Sequence, residues 1–126
     1  MTRWDDESNV LKPKGPRINA PLYVLTSPTN SSATFQFAAA ARSLGLATLV
    51  GGPTGGNQRG INGGAFFFVR LPNSGLEADL PLIGYYPEGE WPDAGLTPDV
   101  AVEAQASDII SGRDPVLERT LALISG

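Results

Sequence analysis

Residues 23–50 read YVLTSPTNSSATFQFAAAARSLGLATLV, and the organisation of the whole chain turns on this stretch. Tyr23-Val24-Leu25-Thr26 is β-branched and aromatic, the make-up of a buried strand. Pro28, Thr29, Asn30 and Ser31 break that run and bring oxygens able to cap a helix. From Ser32 to Leu44 the chain is alanine-rich and free of glycine and proline, so propensity favours a helix. Gly45 stops it, and Ala47-Thr48-Leu49-Val50 forms a second short strand. Strand, helix and strand over about thirty residues make a βαβ unit, whose two strands run parallel.

Beyond this unit, the segment from Gly51 to Gly64 holds seven of the fifteen glycines and reads as one long loop. Ala65 to Leu71 (AFFFVRL) is a continuous apolar strand, and Pro72-Asn73-Ser74-Gly75 is a turn. Leu76, Ala78, Leu80 and Leu82 alternate with other residues, the pattern of a returning strand with one face inward. Pro81 places the far end of that strand at a sheet edge or bulge. Tyr86 to Pro98 is a loop, followed by a short strand at Val100-Ala101-Val102. Asp114 caps a last helix that has Pro115 at its first position, with Val116, Leu117, Leu121 and Ile124 as its inward stripe. Residues 1–20 are polar and interrupted by Pro13 and Pro16, which reads as a flexible lead-in to a domain over 21–126. The fold class is α/β: a βαβ start, an antiparallel strand pair and a C-terminal helix.

Composition narrows the function. A chain of 126 residues is one small domain or a piece of a larger one. Nine Lys and Arg against thirteen Asp and Glu give a net charge of −4 with no basic cluster, which removes the footing for nucleic-acid binding. The chain has neither Cys nor His. It therefore holds no thiolate, no Ser-His-Asp triad and no ordinary zinc site, and neither a metal nor a cofactor is expected. No apolar stretch approaches the ~20 residues of a membrane-spanning helix. The opening Met1-Thr2-Arg3-Trp4-Asp5-Asp6-Glu7 lacks the order of a secretory signal, as expected of a cytosolic protein or a piece whose signal lies upstream.

Few segments could carry chemistry. Gly51 to Gly56 fits G-x-x-x-x-G, but Asn57 and Gln58 follow where a nucleotide site needs Lys and then Ser or Thr. Asn30-Ser31-Ser32 is formally a glycosylation acceptor and reads instead as the start of a helix. The pairs Glu77/Asp79 and Glu88/Glu90 read as solvated charges, and Tyr85, Tyr86 and Trp91-Pro92 as a loop packed on the domain. Ser31 and Ser32, at the junction of strand and helix, suit either of two roles. One is a plain cap; the other is a nucleophile, because free N–H groups and the helix dipole there favour negative charge.

Residues 29–38, TNSSATFQFA, resemble the nucleophile segment of the tail-specific (carboxyl-terminal processing) serine peptidases, where Ser-Ala-Ser-Glu opens an alanine-rich helix. Leu49 to Gly56 (LVGGPTGG) is similar to that family's strand ending in Val-Gly-x-x-Thr-x-Gly. Gly95 to Val102 (GLTPDVAV) is similar to its Gly-Ile-x-Pro-Asp-x-x-Val signature. The three motifs follow the family order over residues 21–102. The resemblance implies a crotonase-like peptidase core with Ser32 as nucleophile and the Ala33 N–H as one oxyanion donor. It also implies that Thr54, Gly56 and Asn57 lie at the substrate, a peptide or protein, and that the setting is bacterial and exported or periplasmic.

The departures are as specific as the matches. The family's lysine base falls at Asn57, and an amide cannot take a proton at neutral pH. A second branch of the family uses a histidine, of which there is none. The PDZ-like module and the upstream strand and glycine turn that supply the second oxyanion donor have no counterpart in residues 1–20. Lys12 and Lys14, the only lysines, precede the first strand, whereas Ser32 follows its end. The expectation is the C-terminal part of a serine peptidase core, inactive alone, completed by the remainder of that core or by self-assembly. The alternative is a non-catalytic, peptidase-like binding or assembly module.

Overall fold

The computed structural model describes residues 15, 16 and 19–126. Most of the expected lead-in, with Lys12 and Lys14, lies outside the described residues. The elements in chain order are β1 (Leu22–Thr26), α1 (Ser32–Ser43), β2 (Ala47–Gly51), β3 (Ile61–Arg70), β4 (Glu77–Tyr85), β5 (Val100–Ala101), α2 (Ala106–Ser111) and α3 (Pro115–Ser125).

The βαβ unit is present. β1 and β2 run parallel in the register Leu22↔Ala47 to Thr26↔Gly51, and β5 pairs with the other side of β2. The sheet order is thus β1-β2-β5, with β2 in the middle. Leu49 and Val50 are both 0% exposed although neighbours on a strand face opposite ways, so both faces of the sheet are covered. On one face Leu49 packs with Phe35 and Ala38 of α1 and with Leu96 from the loop before β5. α3 packs against β1 and β2. The small side chains of Ala38 and Ala41 on the stripe begun by Phe35 let α1 lie close on the strands.

The antiparallel pair is β3–β4, a two-stranded sheet of its own. It begins earlier than expected: Ile61 to Gly64, read as the end of a loop, are already strand. Two features shape this end of the hairpin. A bulge between Gly63 and Phe66 sets Gly64 and Ala65 against Leu82, next to Pro81. The Tyr86 ring also lies over Gly60 and Gly84, where any side chain would collide with it, and its hydroxyl donates to Asn62 Oδ1 at 2.7 Å.

The inward face expected of β4 is not inward: Leu76, Leu80 and Leu82 are all exposed, as are Phe66, Phe67 and Phe68 on β3. The hairpin projects as an arm, and neither strand packs extensively on another element of the described chain.

Asp114 caps α3 as expected, accepting from the N–H groups of Val116 and Leu117. The buried stripe of α3 differs. Thr120 is its buried residue, flanked by half-buried Val116 and Leu123, while Leu117, Leu121 and Ile124 face outward. α3 carries apolar residues on two faces, so the sequence pattern alone could not choose between them. α2 was not anticipated. It is one short turn, opened by Asp108 Oδ2 accepting from the Gln105 N–H and closed by Gly112 in left-handed conformation.

Candidate active site

β1 ends at Thr26, and five residues later the chain turns sharply into α1. The turn is built by Asn30, whose side-chain oxygen accepts from the Ser27 N–H at 2.6 Å. Ser31 is the helix cap by position, yet its side chain makes no capping hydrogen bond. Instead its carbonyl oxygen accepts from the Thr34 hydroxyl at 2.7 Å. The helix therefore starts without a side-chain cap and without an acidic residue in its first turn.

Ser32 is the first residue of α1 and is exposed. Its φ of 54° makes it the one non-glycine residue with positive φ among the described residues. A left-handed backbone costs an ordinary residue roughly 1–2 kcal/mol and recurs at functional turns. A serine on a sharp strand-to-helix turn presents its hydroxyl at the helix end, where free N–H groups stabilise negative charge. Alongside lies an open groove of ≈ 300 Å³ between β1 and α1, walled by Val24, Thr26, Asn30, Ala33, Thr34, Phe37 and Ala38. Ala33 thus belongs to both the serine turn and the groove.

The loop after β2 lies against this turn. The Gly55 N–H donates to the Asn30 carbonyl at 3.0 Å, and Gly56 sits so close to the Phe35 ring that no side chain would fit. Thr54 is 5% exposed and clasps Leu96 twice: its N–H donates to the Leu96 carbonyl, and its hydroxyl accepts from the Leu96 N–H at 2.8 Å. Gly95 packs on the Thr54 carbonyl just as tightly. Asn57 donates from Nδ2 to Asp93 at 2.7 Å and accepts from the Arg59 N–H at 2.8 Å. Arg59 also binds Asp93, at 3.0 Å. Three of the residues expected at the substrate are therefore tied into the body of the domain: Thr54 and Asn57 by hydrogen bonds, Gly56 by packing.

The Gly95–Val102 motif acquires a physical account. Leu96 enters the core, and Asp99 continues the sheet ladder by accepting from the Leu49 N–H at 2.8 Å. Arg42 near the end of α1 pairs with Asp99 and donates to the Thr97 carbonyl. The motif latches the loop to β2 and α1, and with it the loop that borders the serine. Sequence reasoning passed over Asp93, the partner of Asn57. It lies in a loop whose tertiary contacts leave no local pattern.

The fold and site together are an α/β domain with an exposed serine on a strained strand–helix turn. The chain belongs to peptidase family S41: that family's model matches residues 2–102. Among solved structures it is similar to the crystal structure of a "putative peptidase" from Parabacteroides merdae, with 30% identity and a TM-score of 0.54. The match covers 87% of this chain and 33% of that one, so the chain spans about a third of that protein's length. No curated protein matches. Among the described residues no helix is long and apolar enough to cross a membrane.

Proposed function

We propose that residues 21–126 are the C-terminal part of a crotonase-like serine peptidase core of the tail-specific kind. In this reading Ser32 is the nucleophile and the Ala33 N–H is one oxyanion donor. The observation that carries it is the left-handed backbone of Ser32 at an uncapped helix start. An exposed serine at a helix start whose N–H groups are free, with no carboxylate in the first turn, is a setting in which an oxyanion can be stabilised beside a hydroxyl nucleophile. Membership of a peptidase family supports the same reading. The base and second oxyanion donor come from outside this segment, through the remainder of an S41 core or a partner chain. Thr54, Gly56 and Asn57 then shape the rim on which the peptide lies. An exported, periplasmic setting accompanies the family resemblance.

One observation favours the alternative, a non-catalytic module. The position of the family's lysine is occupied by Asn57 in a clasp with Asp93. A lysine there would pair with that carboxylate and keep its proton, which makes it a poor base. Asp93 therefore opposes catalysis independently of Asn57.

The test follows from that chemistry. The native chain should give no appreciable cleavage of unstructured peptides. Asn57→Lys combined with Asp93→Asn should introduce slow turnover, and adding Ser32→Ala should abolish it. Turnover that survives Ser32→Ala would remove Ser32 from the mechanism. Turnover by the native chain, abolished by Ser32→Ala, would place a base within these 126 residues.

A further inference from the structure

The loop that follows β4 leaves two aromatic rings in contact with solvent. Tyr86 and Trp91 are 63% and 47% exposed, so packing on the domain does not account for them. With Arg59, Pro87, Gly89 and Glu90 they line a cavity of ≈ 570 Å³, well within the range of ligand sites. Both rings are held in place. The Tyr86 ring rests on Gly60 and Gly84, and its hydroxyl donates to Asn62. The Trp91 indole N–H donates to the Glu88 carbonyl at 2.9 Å, across a turn in which Gly89 is left-handed. The Arg59 Nε–H donates to the Trp91 carbonyl at 3.3 Å, which fixes the main chain at the ring as well. Rings tied down in this way lose little freedom when a ligand covers them.

Charge decides what fits between them. Arg59 is the cation of the wall, and its Nη1 lies 3.0 Å from Asp93 Oδ2, so a carboxylate already offsets it. Glu90, the anion of the wall, has no ion pair or hydrogen bond among the described residues. An anion entering the cavity would compete with Asp93 for Arg59 and be repelled by Glu90. An organic cation would meet an unpaired carboxylate and the negative faces of two rings. The alkyl stem of a basic side chain would in turn be covered by the rings and Pro87. We propose that the cavity formed by Arg59, Tyr86, Glu90 and Trp91 binds the cationic end of a lysine or arginine side chain presented by a polypeptide, with Glu90 as its counter-ion. The net charge of −4 favours the approach of such a partner. Ser32 takes no part in this site, which stands independently of the peptidase reading.

The full chain, isotope-labelled, is titrated with the Nα-acetyl methylamides of lysine, arginine, norleucine and glutamate. Binding is followed by NMR at the Trp91 indole N–H, whose signal is assigned by its loss in Trp91→Leu. The lysine and arginine derivatives should bind roughly three- to thirtyfold more tightly than norleucine, the scale of one exposed cation–π contact added to one exposed ion pair. The glutamate derivative should bind most weakly. Shifts should centre on Arg59, Tyr86, Glu90 and Trp91. Glu90 is exposed, so Glu90→Gln keeps the fold; it should reduce the preference for lysine over norleucine and leave norleucine binding unchanged. Pentylamine, a similar cationic stem with no peptide attached, should bind no more tightly than the lysine derivative. Ser32→Ala should alter none of these results, so a failure of the nucleophile reading would not disturb them. Lysine binding no tighter than norleucine, a preference for glutamate, or indifference to Glu90→Gln would each overturn the proposal. So would shifts centred on the serine turn or the β3–β4 arm, and pentylamine as the tightest ligand would overturn the polypeptide source.

Discussion

At Ser32 the backbone conformation and the chemistry are tied together. The hydroxyl is aimed by a φ of 54°, which the chain tolerates because Asn30 and the loop after β2 hold the turn from both sides. Relieving this strain should stabilise the protein. Ser32→Gly, which accepts positive φ freely, is expected to be more stable than Ser32→Ala by roughly 1 kcal/mol. Urea unfolding of the two variants measures it, and equal midpoints would mean the turn is unstrained. The motif glycines show what a sequence can and cannot disclose at this scale. Gly56 and Gly95 stood out by spacing, but their physical reason, a ring and a carbonyl pressed against them, exists only once distant segments meet. Asn57 was legible as a missing base. Its partner Asp93, thirty-six residues away, was not.

Among the elements, β1, α1 and β2 were legible because each carries its own signal: a β-branched run, an alanine-rich run and a stop glycine. β3 starts earlier than its sequence suggests because glycines argue for loop, and the pairing of Gly63 with Ile83 and the bulge that follows it exist only once β4 is in place. α3 was found, but its packed face was not, since both of its faces are apolar. The junction between α2 and α3 is held by Arg113, which binds Glu118 at 2.6 Å and Asp108 at 3.3 Å. The hydrogen bond from Arg113, more than its charge, holds the Glu118 carboxyl below the ordinary carboxylate range. A depressed carboxyl contributes stability that is present above its unfolded pKa and is lost as pH falls through the folded one. Both partners are exposed, so the contribution is small. NMR titration should find Glu118 below a free glutamate, and Arg113→Met should return it to the usual value. An unshifted Glu118 in the native chain would show that the bridge does not persist in solution.

For the molecule as a whole, the imbalance lies between a small core and a large uncovered apolar surface. Six apolar residues are buried among those described, whereas the β3–β4 arm alone exposes Phe66, Phe67, Phe68, Leu80, Leu82, Ile83 and Tyr85. Those side chains lie on both faces of the hairpin. Phe66 and Phe68 share one, with ring centroids 6.4 Å apart, while Phe67 stands opposite Leu80 on the other. A two-stranded arm with two apolar faces and two open edges is unstable in water alone. The purified chain is therefore expected to self-associate as concentration rises, and Phe66→Ser with Phe68→Ser should shift it towards monomer in light scattering. A native chain that is monomeric at every concentration would rule out the second copy as the arm's cover. Self-assembly is expected from the sequence as well; that the hairpin is the exposed surface is not, because AFFFVRL has the same composition whether its surroundings are protein or solvent.

Stereochemistry gives the turn at residue 32 one more consequence. Left-handed backbone is the natural habitat of a mirror-image amino acid, so a D-residue placed there by chemical synthesis would sit without strain. Its side chain, however, would leave Cα along the direction now taken by the hydrogen. The hydroxyl of a D-serine would point elsewhere than that of Ser32, over the same backbone trace. Comfort of the main chain and aim of the oxygen are therefore opposed at this atom. The handedness of one α-carbon decides which of the two the protein has.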